Sequence, residues 1–144
     1  MAHVLDNSVY EKIVEHTDNG NDLVEKHEDY LKAIDEYMKA LSLIPEPIEK
    51  WEASTWVLVA IGDCYFLMGD YVNAHQFLTR AMYCPDAIGN GFIHLRLGQV
   101  QFELGNEERA KDELGRAYMI DGEEPFEFED SKYLIFLRQF MRNI

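Results

Sequence analysis

Five histidines, two cysteines and a large surplus of carboxylates are the residues with which this chain could do chemistry. His3, His16, His27, His75 and His94 are scattered, and none forms an HExxH pair or lies beside a cysteine pair, so no metal-ligand set emerges. Asp18-x-Gly20-x-Asp22 opens like a calcium loop, but Leu23 stands where the loop needs Gly and Asp29 where it needs Glu; a polar turn accounts for it. Gly89-Asn90-Gly91 ahead of Phe92 could offer backbone N–H groups to an anion. No GxxxxGK accompanies it and its surroundings are acidic, so it reads as a turn with Asn90 or Gly91 as helix cap. Cys64 and Cys84 have neither CxxC spacing nor the density of a disulfide scaffold, which makes them buried thiols. No Ser/His/Asp or Cys/His arrangement stands out. The chain reads as non-enzymatic, without cofactor or metal.

The charge balance narrows the partners. Against 13 Lys and Arg stand 27 Asp and Glu, a formal net charge of −14. Such a surface repels phosphate backbones and anionic membranes, while it steers basic proteins inward. Nucleic acid and membrane are therefore excluded as partners, and a basic protein is favoured. Met1 to Tyr10 lack a basic stretch followed by an apolar one, and no apolar run approaches the ~18 residues of a membrane span. A cytoplasmic location is the expectation.

The elements that position these residues show in a repeated pattern. Leu58-x-x-Ile61-Gly62-x-x-Tyr65…Gly69-Asp70…Ala74…Leu78…Ala81 recurs as His94-x-x-Leu97-Gly98-x-x-Gln101…Gly105-Asn106…Ala110…Leu114…Ala117, every pair 36 residues apart. A step of this size marks stacked helix hairpins. An earlier copy shows its second half as Ala33, Tyr37 and Ala40, ending at Pro45-Glu46-Pro47. The run Asp18-Asn19-Gly20-Asn21 breaks helices, so the first copy is expected to be an irregular hairpin over residues 8–44: a helix near 8–16, a turn, then a long helix over 22–43. Two regular hairpins follow over 51–83 and 90–120. Tyr133, Phe136, Leu137 and Phe140 form the stripe of an amphipathic capping helix over 130–142. The fold class is all-α: a superhelical stack of about three hairpins with that cap, a single domain over residues 1–144.

On these motifs the chain resembles the tetratricopeptide repeat, a helix–turn–helix unit with the pattern W-x2-L-G-x2-Y…A-x3-F…P. Departures are the Trp position, held by Leu58 and His94, the Tyr position, held by Gln101 in the third copy, and the terminal Pro, which falls early as Pro85 and gives way to Gly122. The resemblance implies a concave face lined by fixed first-helix positions: Trp56, Val59, Asp63, Phe66 and Leu67, then Phe92, Leu95, Gln99, Phe102 and Glu103. Trp56 with Phe92 and Phe66 with Phe102 would form two aromatic rows around a polar centre, the composition of an interface hot spot. Two arrangements are open: the face is free, or the end helices lie back over it. Members of the family that clamp acidic chaperone tails use Lys, Arg and Asn at these positions. Asp63, Gln99 and Glu103 argue against such a clamp and for a basic partner.

Three stretches, from Trp51 to Phe66, from Gly89 to Gln99 and from Arg116 to Leu137, resemble a narrower group: small bacterial tetratricopeptide proteins encoded beside polymorphic toxins of the Rhs and contact-dependent inhibition type. This implies an immunity protein that binds and neutralises a toxin domain. The alternatives are a type III secretion chaperone that cradles an unfolded client segment and a self-associating scaffold; the oligomeric state is not read from the chain.

Overall fold

The computed structural model describes residues 5–142 and residue 144, so His3 lies outside the described residues. Those residues hold seven α-helices and no strand: α1 (Asn7–His27), α2 (Tyr30–Ser42), α3 (Glu52–Leu67), α4 (Tyr71–Ala81), α5 (Gly91–Glu103), α6 (Glu107–Asp121) and α7 (Ser131–Arg138), with short 3-10 turns at Ile48–Lys50 and Glu124–Phe128. They divide into an N-terminal unit up to Ala87 and a C-terminal unit from Ile88. The all-α hairpin architecture is as the repeat pattern predicts.

In each hairpin a glycine of the first helix receives a side chain of the second. A Cβ built on Gly62 would lie 2.7 Å from Leu78 Cγ, and one on Gly98 would lie 2.8 Å from Leu114 Cγ. The same relation holds in the first hairpin, where a Cβ on Gly20 would lie 2.5 Å from Tyr37 Cε1. Small second-helix residues complete these seams: Ala33, Ala40, Ala74, Ala81 and Ala110 are wholly buried and Ala117 nearly so. Tyr65 fills the remaining space of the second hairpin by stacking on Phe77, with ring centroids 5.6 Å apart.

The break expected at Asp18-Asn19-Gly20-Asn21 does not occur. α1 runs unbroken through it, because Gly20 is the contact point for the Tyr37 ring and Asn21 Oδ1 accepts the Tyr37 hydroxyl at 2.6 Å. Tertiary packing overrides the local preference. The chain turns later, at Glu28 in the left-handed region (φ 50°), and Asp29 caps α2 by accepting from the Lys32 N–H. Asp29 N–H bonds Leu23 O, whereas Asp70 and Asn106 bond the carbonyls five residues back, Tyr65 and Gln101. The first hairpin is thus a regular hairpin whose turn is one residue wider, with Glu28 where the others have Gly69 and Gly105.

Candidate protein-binding face

In the N-terminal unit the first helices of two hairpins, α1 and α3, contribute to one small cavity. Asn21, Val24 and Glu25 of α1 oppose Ala60, Asp63 and Cys64 of α3 around a cavity of about 190 Å3, with Tyr37 behind them. Two carboxylates thus share a small space with the apolar flanks of Val24 and Ala60. Burial, and next the Asp63 charge, pushes the Cys64 thiol up to about 12. Burial also raises the Tyr37 phenol, helped by the charges of Asp63 and Glu25. Tyr37 therefore stays a hydroxyl donor to Asn21, and Cys64 stays an inert thiol. The field here is negative, and it favours a cation.

The residues predicted on α3 divide. Trp56 and Leu67 are each 44% exposed, Asp63 lines the cavity, and Phe66 is half-covered by Tyr71, with centroids 5.8 Å apart. Val59 is buried and offers no contact. Asn21, Val24 and Glu25 were not predicted, because the expected turn removed that stretch from the face. Gly20 was the signal: Asn21 follows it as Asp63 follows Gly62 and Gln99 follows Gly98.

In the C-terminal unit the chain itself covers most of the residues predicted on α5. Glu129 Oε1 accepts from Arg96 Nη1 at 2.5 Å and from Gln99 Nε2 at 2.8 Å, and Arg96 Nη1 also donates to Gln99 Oε1 at 2.7 Å. Phe102 is met edge-on by Tyr133 and Phe136, at 5.4 and 5.1 Å. Glu103 accepts the Tyr133 hydroxyl and pairs with Lys132. Gln99 and Leu95 are buried. Of the five residues predicted on α5, Leu95, Gln99, Phe102 and Glu103 are therefore interior or held by the segment that follows α6. Phe92 alone keeps substantial exposure, with the Arg96 guanidinium 5.1 Å from its ring centroid. The α7 stripe, Tyr133 with Phe136 and Leu137, supplies this cover.

His16 and His94 have structural partners, the first a hydrogen bond between its Nδ1 and Glu36 at 2.8 Å. His94 is buried; Gly89 N–H donates to its Nε2 at 3.0 Å, so the ring proton sits on Nδ1 and is given to Glu113 at 2.6 Å. Asn90 caps α5 through the Ile93 N–H, and the Asp121 carboxylate lies where a side chain on residue 91 would begin. The chain itself thus supplies the anion at that helix start. Cys64 and Cys84 are buried free thiols. Among the described residues no cluster of three or more His, Cys, Asp or Glu could hold a metal, and no helix is long and apolar enough to cross a membrane.

The geometry defines a set of helix hairpins, with an acidic cavity between first helices in the N-terminal unit. Residues 93–124 match the family described as Tetratricopeptide repeat. No curated protein sequence matches the chain. Among solved structures, the chain is similar to the C-terminal tetratricopeptide-containing domain of a Plasmodium falciparum FK506-binding protein, with TM-score 0.71 and 18% identity over 94% of this chain and 90% of that one. It is also similar to the Arabidopsis OM64 tetratricopeptide domain, with TM-score 0.69 and 17% identity over 94% and 99% of the two chains. The second tetratricopeptide domain of human RPAP3, solved with the HSP70 peptide SGPTIEEVD, matches with TM-score 0.68 and 16% identity over 91% and 96%. The chain has the tetratricopeptide repeat fold.

Proposed function

We propose that this chain is a non-catalytic protein-interaction module of the cytoplasm, and most concretely an immunity protein that binds and neutralises a toxin domain through a basic surface. The cavity between α1 and α3 carries the proposal: Glu25 and Asp63 line it with Val24 and Ala60, and the same α3 also exposes Trp56 and Leu67. The RPAP3 domain was solved with the acidic peptide SGPTIEEVD; this chain instead lines its α1–α3 cavity with Glu25 and Asp63 and holds the buried Arg96 guanidinium on its own Glu129. With a net charge of −14, encounter with a basic protein is accelerated, and the complex weakens as salt screens it.

The test is co-expression with the toxin domain encoded by the adjacent reading frame. A complex and protection of the host are expected, with an affinity that falls steeply with salt. Asp63→Lys together with Glu25→Lys should weaken binding by tenfold or more while the helical spectrum is retained, on the order of the loss expected for reversed interfacial charge. Neither complex nor protection, or a charge-reversed chain that binds as before, sinks the reading. If a short linear segment of the partner binds as tightly as the folded domain, the chain is instead a chaperone for an unfolded client.

A further inference from the structure

A second surface, in the C-terminal unit and independent of the acidic face, has the form of a self-complementary joint. Ile88, Gly115, Met119, Ile120, Phe140 and Met141 line an open groove of about 690 Å3 along α6. Met119 and Ile88 are 76% and 74% exposed, and Ile120 and Phe140 nearly half. Together they leave adjoining apolar side chains open to solvent on one helix face, the kind of surface that marks an interaction site. Gly115 leaves a hole in this helix face, since a Cβ there would meet nothing nearer than Met141 Sδ at 3.8 Å. One turn further on stands the exposed Met119. A hole and a knob one turn apart on one helix fit a second copy of themselves across a two-fold axis.

The charges admit the same occupant. Among the lining residues two cations, Lys111 and Arg116, accompany one carboxylate, Asp112, in a chain that is otherwise strongly acidic. Lys111 lies over the Phe140 ring at 4.9 Å and reaches Glu108 at 3.4 Å, and Arg116 reaches Asp112 at 3.3 Å. These pairs are solvent-exposed and weak, free to exchange partners between two chains. Here two copies can meet without the repulsion that acidic surfaces impose elsewhere.

We propose that the occupant of this groove is a second copy of the chain, the two α6 helices crossing about a two-fold axis with each Met119 seated over Gly115 of the other copy. Light scattering on the purified full chain, from micromolar to submillimolar concentration, should show a mass rising from 16.8 kDa toward twice that value. Met119→Glu, at an exposed position, should weaken association at least tenfold with the helical spectrum unchanged. Gly115→Ala separates fold from joint: it fills the hole and improves a helix position, so the melting temperature should rise while self-association weakens. A mass of one chain at every concentration, or dimers indifferent to both substitutions, overturns the proposal. Toxin binding is read separately, so either result leaves the acidic-face reading to its own test.

Discussion

Two glycines with the same role differ in how much room their neighbours have to give. A Cβ on Gly62 would press Leu78 Cγ and Cδ2, at 2.7 and 2.9 Å, but stay 3.4 Å from the Leu78 backbone nitrogen. A Cβ on Gly98 would meet the Leu114 side chain at 2.8 Å and also the Leu114 backbone nitrogen at 2.9 Å. Side chains rotate and helix backbones do not, so Gly98→Ala should cost about 3 kcal/mol and Gly62→Ala about 1 kcal/mol, within the range of overpacked cores. Urea unfolding of the two variants decides the order. At Glu129 the danger is a vacancy. Glu129→Ala leaves the buried Arg96 without its carboxylate and should cost about 3 kcal/mol, whereas Arg96→Met together with Glu129→Met should recover most of that loss.

At the scale of elements, the turn of the first hairpin departs from the other two. Gly69 and Gly105 take φ of 79° and 82° freely, while Glu28 holds φ 50° as a side-chain-bearing residue. Glu28→Gly should therefore stabilise the chain by about 1 kcal/mol, read as a higher denaturation midpoint, and Gly105→Ala should lose a similar amount. The repeat step of 36 residues made the second and third hairpins legible, because a fixed interval reports a packing relation twice. The first hairpin is not legible at Asp18-Asn19-Gly20-Asn21, where local preference and tertiary contact oppose each other and the partner, Tyr37, lies far along the chain. The same conflict hides Asn21, Val24 and Glu25, the α1 side of the acidic cavity. The α7 stripe showed that the last helix covers something apolar, yet not what. Glu129 looks no different in the sequence from Glu127 or Asp130, and only the fold sets it against Arg96.

Across the whole molecule, charge pulls stability and binding in opposite directions. Repulsion within a chain of net charge −14 is relieved by salt, so the melting temperature should rise with ionic strength, whereas affinity for the basic partner proposed above should fall. At high pH the buried acids dominate. The Cys64 thiol is raised in the folded chain from 9.0 to about 12, so the stability it contributes is full below its unfolded value and declines as pH climbs through that interval. The Tyr37 phenol is shifted in the same direction. Cys64→Ala should flatten this alkaline decline, measured as denaturation midpoint against pH. On the acid side, the hydrogen bond from His16 holds the Glu36 carboxyl below its ordinary range. Its contribution is present above that range and is lost as pH falls through the depressed value.

The triad of Arg96, Gln99 and Glu129 also ties together two stretches of chain that heredity can alter separately. The partners of Glu129 lie 33 and 30 residues before it, close to the repeat step itself. Among descendants of this sequence, loss of the carboxylate strands a guanidinium in the interior, so the two positions should change together or not at all. Such paired change would fall near the repeat interval and could be mistaken for the echo of one hairpin in the next, although it records a single interlock between a helix and the segment that covers it.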